Sequence, residues 1–249
     1  MFFFVLFHIF ASILAKKDGW WLNTPGPYWY KYMQDMRHAL LNGQVVRITD
    51  AFEAPERFDA PDDAVWYYEP SNLKYPGDHM WYSRYVRENT SEVDLFLNEI
   101  SNIHKLFFGE LLSLNTSNME SIGFASTKYN KSCYLETHND KIGNRRLSLI
   151  YHNTRNSPSE ECGGDFVWYR GLGVTKFKPS YNTLYLFIPT FKTHHAIDDV
   201  HCSERTAISG WLEWPEYSST YALLADHAEY RVNSGYSIGD PFSIDNTDE

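Results

Sequence analysis

Apolar residues recur along this chain with two different periods, and the change from one to the other falls near residue 120. Between residues 91 and 112, Val93, Leu95, Phe96, Ile100, Ile103, Leu106 and Phe107 follow a helical period, with Glu92 placed to suit the helix dipole. An earlier amphipathic helix is predicted over residues 28–41, closed by Asn42-Gly43, and a short strand over 44–48. Residues 52–79 mix prolines with acidic side chains and read as a long surface loop. From 121 onward the pattern becomes strands separated by turns: 122–127, 133–138, 145–151, 165–169, 181–188, 195–197 and 205–211. Strands at this spacing predict an antiparallel sandwich or barrel. The chain thus divides into an apolar start (1–17), a supporting helical region with its acidic loop (18–120), a β core (121–215) and a polar tail (216–249).

The apolar start changes the picture of location. Residues 1–15 are almost wholly apolar and are followed by Lys16 and Lys17, with Ser12 and Ala15 as small residues for a cleavage site. The run is short for a membrane span and fits a signal peptide or N-terminal anchor, although no basic residue precedes it. A buried N-terminal helix is the alternative. With a signal the protein is secretory or extracytoplasmic; without one, cytoplasmic. The net charge of -10 gives no basic stripe, so no nucleic-acid partner is expected. An aromatic content of 17% suits a β core filled between sheets. Cys133, Cys162 and Cys202 make no disulfide framework, since one is always left over, and no CxxC pair points to zinc. Asn89, Asn115 and Asn130 begin formal glycosylation sequons, which matter only in a eukaryotic secretory pathway.

Candidate chemistry lies in the β region. On a strand, residues two apart share a face, so His138 and Asp140 project together. His195 follows 57 positions later, far enough to return on another strand. Two histidines and a carboxylate hold ferrous iron while leaving coordination positions open. In the last core strand, Arg205, Ala207, Ser209 and Trp211 share a face. An arginine pointing into a barrel needs an anionic partner: a dicarboxylate ligand, or an internal Asp or Glu. Each feature alone is weak.

Their order is not. Tyr129 lies nine residues before His138; His138-Asn139-Asp140 is followed by an arginine-led strand ending in Tyr151-His152-Asn153, then Gly163-Gly164-Asp165-Phe166. Phe177-Lys178-Pro179, an apolar strand, His195 and Arg205 complete the series. From Tyr129 to Trp211 the chain resembles the prolyl 4-hydroxylase-like branch of the iron(II)/2-oxoglutarate-dependent dioxygenases. The resemblance implies an α+β, mostly β fold: a double-stranded β-helix, the jelly roll of cupins, with N-terminal helices packed on one sheet. It implies that His138, Asp140 and His195 bind Fe(II), and that Arg205 pairs with the distal carboxylate of 2-oxoglutarate. Tyr151 would donate a hydrogen bond to that carboxylate, Tyr129 would line the co-substrate pocket, and Trp211 would pack beside the metal. Gly163-Gly164 would make a turn before a core strand. The chain departs from the family at His152, where leucine is common, and alternation should turn His152 away from the pocket. His194 competes with His195, and the ten-residue step to Arg205 favours His195.

The implied activity is hydroxylation of a C–H bond with consumption of O2 and release of succinate and CO2, ascorbate serving as reductant. The retained Asp140 favours hydroxylation over halogenation. A prolyl or other protein side chain, or a small molecule, is the expected substrate. A non-catalytic jelly-roll module that binds a metal or ligand is the alternative, because fold alone does not decide function. A zinc hydrolase would leave Arg205 unexplained. The aromatic-rich acidic loop (52–79) is equally a lid over the pocket or a packed surface insertion.

Overall fold

The computed structural model describes residues 26–70, 81–155, 160–170, 173–201, 204–215 and 242–245. Within them twelve strands form one curled sheet that folds over on itself at a single strand. One leaf contains β1 (Val46–Ile48), β4 (Glu120–Tyr129), β6 (Arg145–His152), β9 (Thr183–Phe187), β11 (Arg205–Glu213) and β12 (Phe242–Ile244). The other contains β5 (Tyr134–His138), β7 (Phe166–Arg170), β8 (Gly173–Phe177) and β10 (His195–Ile197). The hinge is β3 (Tyr82–Arg87): Tyr85 to Arg87 pair with β4, while Tyr82 and Ser83 pair with β5. A short β2 (Tyr67–Glu69) flanks it. Pairings are antiparallel except β1 with β12. This is the expected jelly roll.

Two apolar cores follow from strand alternation. Between the leaves lie Tyr129, Ile150, Tyr185, Phe187 and Ala207 from one side, and Phe166, Trp168 and Ile197 from the other. Aromatic rings join them across the gap, Phe166 to Tyr185 at 5.1 Å and Trp168 to Phe187 at 5.1 Å. The outer face of the larger leaf, with Leu147, Leu149, Tyr151, Leu184, Leu186 and Ile208, is covered by helices α1 (Met33–Leu41), α2 (Ser91–Asn98) and α3 (Lys105–Leu112). Burying an apolar side chain of this size contributes about 1.5–3 kcal/mol. The helices therefore stabilise a leaf whose β6 strand is buried along its whole length.

Several elements depart from the sequence pattern. The helix expected over 91–112 is interrupted by a π-helical turn, Glu99–Ile103, and a 3-10 turn, Tyr28–Tyr32, precedes α1. The loop expected over 52–79 contains a 3-10 turn, Pro55–Phe58, and β2; its residues 71–79, the rest of the candidate lid, lie outside the described residues. β3 and β8 have no counterpart among the expected strands, and β12 arises within the stretch assigned to the tail. The apolar start also lies outside the described residues. Among the described residues no helix is long and apolar enough to cross a membrane. The cysteine arithmetic needs one amendment: Cys162 is disulfide-bonded, while Cys133 is a buried free thiol. An odd count forbids a complete framework, not a single bridge.

Candidate metal and co-substrate site

His138 ends β5 and His195 begins β10, and the two are register partners across the smaller leaf. Asp140 follows β5 by two residues. The ligand atoms of His138, Asp140 and His195 all lie within 4.8 Å of one another, and all three side chains are buried. His138 Nδ1 lies 2.9 Å from the Glu136 carbonyl and His195 Nδ1 3.4 Å from the Thr193 carbonyl. A proton on each Nδ1 therefore leaves both Nε2 atoms as acceptors, and these are the atoms nearest Asp140, at 3.5 and 3.6 Å. The Ser148 hydroxyl donates to Asp140 Oδ2 at 2.8 Å and fixes the carboxylate. Thr190 and Thr193 lock the turn before His195 through their hydroxyls. His194 is not part of the cluster.

Arg205 opens β11 on the facing leaf and is 2% exposed. It lines the same cavity as the three ligands, together with Tyr129, Ala207, Ser209 and Trp211. Tyr129 is its register partner, and the guanidinium carbon stands 5.1 Å from the Tyr129 ring. Nη2 donates to His152 Nε2 at 2.7 Å, while the buried Nε has no hydrogen-bond partner. No carboxylate pairs with Arg205 among the described residues. The internal Asp or Glu that would satisfy it in a purely structural role is thus missing, and a dicarboxylate ligand would meet the need.

Residues 124–213 match the model of the 2OG-Fe(II) oxygenase superfamily. Over this segment the chain is similar to that superfamily. No curated protein matches the chain. Among solved structures, a 2OG-Fe(II) oxygenase-family oxidoreductase from Burkholderia pseudomallei is 18% identical with a TM-score of 0.52, over 73% of this chain and 90% of that one. A Trichoplax adhaerens prolyl hydroxylase, solved with a hypoxia inducible factor peptide, is 16% identical with a TM-score of 0.54, over 80% and 97%. A Pseudomonas putida prolyl-4-hydroxylase gives 14% and 0.53, over 73% and 98%. At these identities the neighbours establish the fold.

The charge states of the three clustered side chains suit a divalent metal. Burial alone would raise the Asp140 carboxyl, but His195, His138 and Trp211 outweigh it and hold the group well below the ordinary carboxylate range. Burial, helped by His138, depresses His195 to about 3, so its imidazole is neutral. A carboxylate with a neutral imidazole is the protonation state that ligation demands. The Fe(II) that the superfamily implies therefore finds a matching donor set.

Two positions on β6 differ from the sequence-based assignment. Tyr151 does not line the cavity. It sits on the helix side of the leaf, ringed by Phe52, Phe58 and Phe96 at 5.3–5.5 Å, with its hydroxyl donating to Asn182 Oδ1 at 3.3 Å. His152 faces inward instead and contacts Arg205. Because alternation puts neighbours on opposite faces, both departures are one fact: the inward set of β6 is Ser148, Ile150 and His152. Both faces of β6 are buried, so hydropathy carries no signal for which is inner. Ser148 and Arg84 also belong to the site without any motif to announce them, and Arg145, the arginine that leads the β6 motif, lines its cavity. Arg84 lines the cavity but is neutralised by Glu69, with Nε to Oε2 at 2.7 Å. Tyr129 and Trp211 line the cavity, and Gly163 and Gly164 both take positive φ before β7.

Proposed function

We propose that this chain is an Fe(II)- and 2-oxoglutarate-dependent hydroxylase acting on a C–H bond of a prolyl or other protein side chain. The observation that carries the reading is a single cavity lined on one leaf by His138, Asp140 and His195, and on the other by a buried Arg205 lacking any carboxylate partner among the described residues. In this reading His138, Asp140 and His195 hold the iron and Arg205 takes the distal carboxylate of 2-oxoglutarate. Tyr129 and Trp211 wall the cavity. The bound iron supplies the oxidising chemistry: O2 and 2-oxoglutarate are consumed, one oxygen atom enters the substrate C–H bond, and the other leaves in succinate as CO2 is released.

The protein's own part is positional. The backbone carbonyls of Glu136 and Thr193 aim both Nε2 atoms inward, and Ser148 orients Asp140. The apolar wall of Ile142, Ile150 and Ile197 restricts water around the reacting centre. Ascorbate is the proposed reductant that maintains Fe(II). A secretory or extracytoplasmic location is supported by the apolar start and by the Cys162 disulfide, which persists in oxidising compartments. The prolyl hydroxylase likeness supports, at the level of fold, a peptide as substrate.

The test is coupled succinate formation with Fe(II), 2-oxoglutarate and proline-, lysine- or asparagine-containing peptides. The wild-type chain is expected to turn over 2-oxoglutarate and Asp140→Ala to lose that turnover by at least about a hundredfold. Full turnover by Asp140→Ala would overturn the assignment.

A further inference from the structure

We propose that the substrate taken by this cavity carries a carboxylate close to the carbon that is oxidised, and that Arg145 binds it. The inference rests on the function proposed above and adds a substrate class to it. Arg145 opens β6 and lines the cavity of the metal ligands, yet its side chain is buried, its Nε has no hydrogen-bond partner and no carboxylate pairs with it among the described residues. Other arginines near the hinge and helices are neutralised: Arg84 by Glu69 at 2.7 Å, Arg87 by Glu92 at 3.0 Å and Arg57 by Glu99 at 2.8 Å. Among the arginines lining the cavity, Arg205 and Arg145 lack such a partner.

One dicarboxylic co-substrate satisfies Arg205. Divalent iron, the Asp140 carboxylate, a dianionic 2-oxoglutarate and the Arg205 guanidinium balance in charge, and Arg145 remains as an uncompensated cation. A buried guanidinium without an anion is costly, and folding has arranged to keep this one in place. Its carbon stands 3.4 Å from the centre of the Trp211 ring. That ring occupies space that only glycine leaves open at position 123, where a Cβ would lie 2.6 Å from it and φ is +63°. A guanidinium stacked on an indole keeps its in-plane N–H edge free, the edge that grips a carboxylate with two parallel bonds. Ile142 and Ile150 line the same cavity, so the anion meets a largely apolar wall.

The carboxylate comes either from a small acid or from an acidic residue of a peptide, and paired probes separate the two. The full chain, loaded with Zn(II) to prevent turnover and saturated with 2-oxoglutarate, is titrated calorimetrically. The small pair is N-acetyl-proline and its amide; the peptide pair is blocked Ala-Pro-Glu-Ala and blocked Ala-Pro-Gln-Ala. At least one acid is expected to bind about tenfold or more tightly than its neutral partner. That ratio should collapse in Arg145→Gln and survive in part in Arg145→Lys, with 2-oxoglutarate affinity unchanged within about twofold. Acids and neutral partners binding equally to the wild-type protein, or neither binding, overturns the proposal whether or not the variants fold. A ratio that persists in a folded Arg145→Gln overturns the role of Arg145. Failure of the wild-type protein to bind 2-oxoglutarate at all would instead defeat the underlying functional reading.

Discussion

His152 concentrates what a single residue contributes here. It is completely buried, its Nε2 accepts from Arg205, and burial together with Arg205 and Arg47 pushes its pKa well below the ordinary 6.5. A neutral imidazole accepting through Nε2 must carry its proton on Nδ1, so the tautomer follows from the contact. It bonds the Arg205 guanidinium without cancelling its charge, which a carboxylate in the same place would do. Substituting His152→Phe preserves volume but strands an Arg205 N–H, a loss worth on the order of 1–3 kcal/mol. The KM for 2-oxoglutarate is expected to rise about tenfold or more while kcat falls much less, and His152→Gln, which retains an acceptor, should recover most of the affinity. Equal losses in kcat and no change in KM would show that His152 does not position Arg205. The candidate metal ligands, by contrast, are legible in the sequence, because spacing puts His138 and Asp140 on one face and returns His195 from another strand. The inward face of β6 is not legible there, because Tyr151 and His152 are both buried and differ only in which core they enter.

At the scale of elements, the interrupted helix shows why hydrophobic period predicts helices better than it predicts their breaks. The apolar residues of 91–112 keep a helical rhythm, yet the π turn at Glu99–Ile103 shifts the phase and turns Glu99 into a buried network. Glu99 Oε1 pairs with His104 Nε2 at 2.9 Å, His104 Nδ1 meets the Tyr30 hydroxyl at 2.6 Å, and Arg57 closes on Glu99 Oε2 at 2.8 Å. Helix α2, helix α3, the Tyr28–Tyr32 turn and the Pro55–Phe58 turn are thereby tied at one point. No local signal announces this, since all four partners are distant or polar. Burial alone would raise the Glu99 carboxyl, but His104 and Arg57 prevail and lower it from 4.5. A carboxyl whose folded-state pKa is depressed contributes stability above its unfolded value and loses it as pH falls through the folded value. Denaturant titrations should accordingly find Glu99→Gln about 1–3 kcal/mol less stable near neutral pH, with the gap narrowing as pH drops below 4.5. A gap independent of pH would mean that shape rather than charge holds the junction. The strands that the hydrophobic pattern does not reveal have a related cause. β8 alternates half-buried with exposed residues, and β12 is only three residues long in a polar stretch, so neither carries enough apolar pattern to stand out.

For the molecule as a whole, the site exists only because the sheet folds over at β3. The smaller leaf supplies His138 and His195 through the pairing of β5 with β10, and the larger leaf supplies Arg205 and Trp211 from β11. A metal held by the first set, with a dicarboxylate spanning to the second, would tie the two leaves together in the folded state and find no such arrangement in the unfolded chain. Mass action then predicts stabilisation by about 2.7 kcal/mol at a hundredfold excess over Kd, which for a chain of this size is a rise in Tm of roughly 5–10 °C. Mn(II) alone should produce such a shift in a thermal melt, and 2-oxoglutarate added to it should produce a further one. In His195→Ala both shifts should vanish, because one of the three metal-binding side chains is gone from the smaller leaf. In Arg205→Ala the Mn(II) shift should persist while the 2-oxoglutarate increment disappears, since each residue belongs to a different leaf and a different ligand. A 2-oxoglutarate increment that survived in Arg205→Ala would place the co-substrate away from β11 and break the two-leaf account of the site.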